Sequence, residues 1–461
     1  MRRTVGSLIA AGAAVLIALP ASASAGGFTH GSAGLGDPLF PRAGNGGYDV
    51  DHYALRLRYA PRTGVLRARE KLHAAATHGL SRFDLDFRGP HVSALSVDGR
   101  AASFRRRGQE LIVTPRSGIP DGKRFTVRLR YRGRPGPVTD PDGSKDGWIP
   151  TADGAFVADE PQGAPTWFAC NDYPTDKAFY DFRVTVPRGT TAVANGRLER
   201  RARHRRHTTF VWREGAPMAT FLATVTTGRF RVHRSRANGI PSYVAVDPAQ
   251  ASADSTLSKV GSILSLFGGK FGAYPFGQTG VIVDNAPSVG YALETQTRPL
   301  FDRAPGEITL AHELSHQWFG DAVTIARWPD IWLNEGFATW AEWFWGQHEG
   351  GPSTQARFDD LYSSHGPGDT PFWDPPPGNP GSAVNLFDGT IYDRGAMTLE
   401  ALREQVGDAE FFQILRDWMS EHRFGNATTQ DFISLAETDS GLDLDHFFQV
   451  WLFDEGKPTS W

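Results

Sequence analysis

Two histidines four positions apart, in Ala311-His312-Glu313-Leu314-Ser315-His316, constrain this chain more than any other feature. On a helix that spacing puts both imidazoles on one face, about one turn apart, where they can close on a single tetrahedral metal ion. Glu313, beside the first histidine, projects near such an ion without being forced to ligate it. Nineteen positions after His316, Glu335 in Trp332-Leu333-Asn334-Glu335-Gly336 can supply a third ligand and leave the fourth position for water. That is the layout of a catalytic zinc site, and it points to a hydrolase. The competing reading is a helix with two ordinary histidines. It is disfavoured, because a His-Glu-x-x-His match arises by chance in roughly one protein in fifty, and the placed glutamate makes it about twentyfold rarer.

At 461 residues the chain exceeds one ordinary core, so two domains are expected. A net charge of −3 gives no reason to invoke nucleic acid. Arg2 and Arg3, an apolar run over 8–19 and the small residues Ala21-Ser22-Ala23-Ser24-Ala25 read as a secretory signal over 1–25, cleaved near Ala25. No other segment approaches the ~18 apolar residues of a membrane span. The expected mature protein is therefore soluble, extracellular and free of a membrane span. Cys170 is the sole cysteine, in an apolar Trp167-Phe168-Ala169-Cys170 run that suits packing rather than catalysis.

Residues 26–47 are Gly-rich and read as a flexible lead-in. Beyond them the period becomes two: Tyr53, Leu55, Leu57 and Tyr59 alternate with Arg56 and Arg58, and Phe125, Val127, Leu129 and Tyr131 repeat the pattern. Asp98-Gly99, Asp121-Gly122 and Asn195-Gly196 mark turns between such runs. The arginine tracts around Arg106 and Arg203 fit solvated hairpin tips better than a nucleic-acid surface. From about residue 240 the spacing turns helical, as in Leu257, Val260, Ile263, Leu264 and Phe267. Pro305 and Gly306 set the start of the metal helix near 306, and 366–381 is a Gly/Pro-rich loop long enough to be functional.

The metal motif in its setting, His312-Glu313-Leu314-Ser315-His316-Gln317-Trp318 through Asn334-Glu335-Gly336, resembles the aminopeptidase N family of zinc metallopeptidases, the gluzincins. Trp167 to Pro174 with Lys177-Ala178, the run Asn426-Ala427-Thr428-Thr429 and the closing 451–458 segment share that resemblance, which covers the chain from about residue 40. It implies an α+β multidomain protein: an N-terminal antiparallel all-β domain over 48–237, then a thermolysin-like, mainly helical zinc metallopeptidase domain over 238–461. Members usually carry a further helical domain, for which this sequence has no room.

His312, His316 and Glu335 are thus the expected ligands of one catalytic Zn²⁺, and Glu313 the general base for a zinc-activated water. The resemblance further implies that Tyr392, in Tyr392-Asp393-Arg394-Gly395-Ala396, stabilises the oxyanion. Gly290-Tyr291-Ala292-Leu293-Glu294-Thr295 stands where the family has Gly-Ala-Met-Glu-Asn. Glu294 is retained there to hold the substrate's free ammonium, while Tyr291, Leu293 and Thr295 depart from the pattern. Glu160, by its interval to Asp172, would join Glu294 in binding that amine. Glu342, two helical turns after Glu335, could orient a ligand histidine.

These assignments describe a secreted, monomeric zinc aminopeptidase acting on peptides with a free N-terminus. A zinc endopeptidase or broader peptide hydrolase on the same scaffold is the nearest rival. A non-catalytic secreted binding protein is a more distant one, since it would need neither Glu313 nor Tyr392.

Overall fold

The computed structural model describes residues 27–461, so the signal segment expected over 1–25 lies outside the described residues. The alternating runs form an eight-stranded sheet in which Tyr48–Ala60 pairs with Val65–Ala76, and that strand in turn with Arg124–Gly133. Tyr53, Leu55, Leu57 and Tyr59 point into the core while Arg56 and Arg58 are exposed, as period two requires. Pairings in this sheet are antiparallel with one exception. Ala178–Pro187 runs parallel to Tyr48–Ala60, from Phe179 opposite His52 to Thr185 opposite Arg58. Two smaller sheets complete the β domain, one of four strands and one of five. Cys170 is fully buried, its backbone bridged to Asp86 at the end of one strand of the four-stranded sheet.

Residues 27–47 correct the flexible lead-in. Thr29 pairs with the Leu80–Asp86 strand, and buried Asp37 accepts from Leu39 N and Phe40 N at 2.8 and 3.0 Å. The other oxygen of Asp37 accepts from Tyr173 Oη at 2.9 Å and from Trp328 N at 3.0 Å, one partner in each domain. The segment has little apolar content of its own, but its glycines allow close passage over a surface that supplies the bonds.

The domain boundary also shifts. Arg231–Ala237, assigned to the β domain by a boundary at 237, pairs instead with Ile240–Val246 through an Asn238-Gly239 turn, both residues at positive φ. That hairpin opens the five-stranded catalytic sheet. Ile240–Val246 then runs parallel to Thr279–Val283, joined by helix α1, Val260–Phe271.

Three more helices build the core around the metal motif: α2, Glu307–Ser315; α3, Trp332–His348; and α4, Gly389–Val406. Gly306 caps α2 and Glu307 occupies its first turn. Helix α3 is apolar nearly all round and buried along most of its length. It meets α4 at Gly336 and Gly395, where a Cβ added to Gly336 would stand 2.9 Å from the Gly395 backbone. Glycine is needed there for the close approach that brings Glu335 of α3 toward Tyr392 of α4. Arg394, fully buried, donates to the carbonyls of Trp451, Val450 and Trp373, tying the start of α4 to the C-terminal segment and to the 366–381 loop.

Candidate active site

The three expected ligands converge. Nε2 of His312 lies 3.2 Å, and Nε2 of His316 3.5 Å, from the same Oε2 of Glu335. The outer ring nitrogens are engaged: Nδ1 of His312 lies 3.2 Å from Glu342 Oε2, and Nδ1 of His316 donates to Phe319 O at 3.0 Å. With a cation among the three ligands, these contacts would keep the ring protons on Nδ1 and turn both Nε2 lone pairs inward. Two imidazole nitrogens and one carboxylate oxygen, all within 4.8 Å of one another, are a donor set that fits Zn²⁺. Burial opposes ionisation of Glu335, yet His316 and His312 hold its carboxyl down at about 2, so it stands as an anion ready to ligate.

Glu313 leaves α2 beside His312 and is buried. Burial pushes its carboxyl up to about 8 against the pull of His312 and His316. A dication held by the three ligands would favour its ionised form. Its carboxylate, Glu294 and His316 also lie within 4.8 Å of one another. Tyr392 faces His312 from α4, ring centroids 6.1 Å apart. Burial, then Glu335, Glu160 and Glu294, raise the pKa of its phenol well above the usual value and keep it a hydrogen-bond donor.

Glu160 comes from the β domain and Glu294 from the catalytic sheet, and the structure brings them together with Glu335 within 4.8 Å. Both are nearly inaccessible, and each has one carboxylate oxygen buried with no hydrogen-bond partner. Burial raises the pKa of both, and for Glu160 the neighbouring Glu294 adds to it. The Glu294 segment is held by Gln317, whose Nε2 donates to Glu294 O at 3.1 Å and whose Oε1 accepts from Thr297 N at 2.7 Å.

All seven expected residues line one cavity of about 270 Å³. Sequence reasoning missed part of its wall: Asp142 and Ser144 from a β-domain loop, and Phe387 just before α4. Tyr291 joins the two sides, donating from Oη to Lys145 O at 2.8 Å. Its departure from the family pattern was the one signal that marked this contact. The 366–381 loop contributes no lining residue.

Comparison with known proteins matches the Peptidase M1 N-terminal domain over residues 154–222 and the Peptidase family M1 domain over 292–451. A solved two-domain M1 zinc metallopeptidase mutant bound to L-tryptophan is 30% identical, with a TM-score of 0.85, 92% of this chain covered and 99% of that one. The chain belongs to the M1 family of zinc metallopeptidases. Another M1 structure, from Deinococcus radiodurans and bound to a Tyr-Ser-Ala substrate, is 29% identical at a TM-score of 0.83, over 93% of this chain and 98% of that one. The mainly β domain followed by a helical catalytic domain is therefore this family's two-domain form. Probable aminopeptidase 2 of Sulfurisphaera tokodaii is 24% identical over 452 residues, 89% of this chain. Glutamyl aminopeptidase of Bos taurus is 29% identical over 338 residues, 65% of this chain. This M1 chain spans 54% of the length of the first of these and 34% of the second.

Proposed function

We infer that the protein is a zinc-dependent aminopeptidase that removes the first residue of peptides. The observation that carries this reading is the buried, unpartnered pair Glu160 and Glu294 beside the metal ligands. Two carboxylates buried together need a cation, and the free ammonium of a peptide supplies one. Held there, the ammonium sets the distance from substrate terminus to metal, so that only the first peptide bond reaches the reacting position.

His312, His316 and Glu335 would hold the Zn²⁺, which when bound would polarise the scissile carbonyl and acidify the attacking water. Glu313 takes the proton from that water and returns it to the leaving amine. Tyr392 donates from Oη to the oxyanion as it develops. Glu342 and the Phe319 carbonyl orient the two imidazoles. The M1 structures bound to L-tryptophan and to Tyr-Ser-Ala support small ligands with free amines in this fold. The segment over 1–25 supports export, and no helix among the described residues is long and apolar enough to cross a membrane.

Matched peptides with free and acetylated N-termini test the reading. Free peptides should lose residues one at a time from the N-terminus, and acetylated ones should be refractory. Internal cleavage of acetylated peptides at comparable rates would replace the aminopeptidase with the endopeptidase.

A further inference from the structure

A second acidic group lies away from the catalytic cavity, at the seam between the domains. Asp247 and Asp284 follow the adjacent parallel strands Ile240–Val246 and Thr279–Val283, so their side chains emerge side by side at the strands' carboxyl ends. Asp153, in the turn before the β-domain strand Ala155–Ala158, meets them from across the seam. One carboxylate oxygen from each lies within 4.8 Å of the others.

The three are not equivalent. Asp153 is partly exposed and its Oδ2 accepts from Arg229 N and Nε, at 2.9 and 3.1 Å. Asp247 is half-buried, its Oδ1 accepting from Ala249 N at 2.7 Å. Asp284 is only 1% exposed; its Oδ1 accepts from Asn285 N at 2.8 Å, and its Oδ2 is buried with no partner. The contrast with Asp302, after the next strand of the sheet, is informative. Asp302 Oδ2 accepts from Gly290 N at 2.9 Å and from Arg303 Nη2 at 2.8 Å, so its charge is met. Arg229 meets at most one charge of the triad, from its exposed side. Burial first, and then Asp153 and Asp247, push the Asp284 carboxyl up to about 7, the cost of a buried anion facing two others.

We propose that Asp153, Asp247 and Asp284 form a calcium site that pins the β domain to the catalytic sheet. The donors are all oxygen, which selects a hard cation over a second zinc. Opposed ligands at Ca²⁺–O distances lie about 4.6–5.2 Å apart, against about 4.0–4.2 Å for Mg²⁺. A triad whose oxygens lie within 4.8 Å of one another fits inside either shell, and three carboxylates already held by Arg229, Ala249 N and Asn285 N suit the variable shell of about 6–8 oxygens around Ca²⁺ better than the strict octahedron of Mg²⁺. The half-buried side leaves room for water to complete its shell. The position matters because Asp153 and Asp284 lie seven and ten residues before Glu160 and Glu294. A cation at the seam would join the two segments that deliver those acids to the cavity. Calcium binding itself does not depend on the peptidase reading, whereas the use of holding Glu160 and Glu294 in place does.

The test uses the full zinc-loaded chain, titrated with Ca²⁺ by calorimetry and melted with and without it. We expect one site with a Kd of about 10⁻⁴–10⁻³ M, the range of extracellular modules. At ten times that concentration the melting temperature should rise by about 2–5 °C. Asp284→Asn and Asp153→Asn should each abolish both signals. Asp443→Asn, in the separate exposed group Glu437, Asp443 and Asp445, should leave them intact. Absence of a calcium signal in the parent, or a signal that survives Asp284→Asn, overturns the proposal. If Asp284→Asn does not fold, undiminished calcium binding by Asp153→Asn overturns it equally.

Discussion

Glu342 Oε2 stands 3.2 Å from Nδ1 of His312, two helical turns from Glu335 on the same helix, so one helix both faces and orients the same imidazole. Removing the charge while keeping the shape isolates the orienting role. Glu342→Gln should weaken zinc binding by about 10–100-fold. Chelator competition with a chromogenic zinc indicator would measure it, and an unchanged affinity would reduce Glu342 to a bystander.

Glu313 and Glu335 should separate metal binding from chemistry. Glu313→Gln should retain one zinc per chain and lose about 10²–10⁴-fold in turnover, the usual worth of a positioned acid–base group. Glu335→Ala should lose the metal itself. Metal analysis beside an aminoacyl reporter assay reads both, and a zinc-loaded Glu313→Gln enzyme of near-normal turnover would sink the mechanism.

Tyr392 acts, on this reading, only as charge develops on the oxyanion. Tyr392→Phe keeps the ring against His312 and should lower kcat by about 10²–10³-fold with little change in KM. A change confined to KM would make it a binding residue instead.

Gly336→Ala tests the α3–α4 approach, since the new methyl meets the Gly395 backbone at 2.9 Å and no flexible side chain can give way. A cost of about 1–3 kcal/mol is expected, or some 2–12 °C in melting temperature. Circular dichroism melts at constant zinc would show it.

Glu70, in the β domain, predicts a pH dependence. Burial raises its carboxyl to about 8, offset in part by the bond from Ala169 N at 3.1 Å. Its folded pKa exceeds the unfolded one, so its stabilising effect is complete below about 4.5 and is lost as pH rises through about 8. Glu70→Gln should therefore flatten the stability profile across that window and melt above the parent at pH 8. A parallel profile in the two proteins would remove Glu70 from the account.

What could be read from the chain and what could not differ in the range of the contacts involved. Period two in Tyr53 to Tyr59 and the four-residue spacing of His312 and His316 are local, and the structure repeats both. The parallel pairing of Ala178–Pro187 with Tyr48–Ala60 leaves no local trace, because alternation looks the same in either strand direction. The transfer of Arg231–Ala237 to the catalytic sheet is foreshadowed by Asn238-Gly239, a hairpin signal directly after Ala237 whose two strands span the expected boundary. Asp142 and Ser144 reach the cavity from a loop about 150 residues before Glu294, and no pattern in their own surroundings marks them.

Asp37 gives the segment 27–47 an unusual history. Its bond to Trp328 N joins residues 291 apart, while its partner in the β domain, Tyr173, is made much earlier. During synthesis the chain's leading edge must therefore wait for more than half of the remaining sequence before its last anchor exists. The first part of the described chain to be made is among the last to be secured. A nascent chain stalled before residue 328 would leave Asp37 open to probes that the finished molecule excludes.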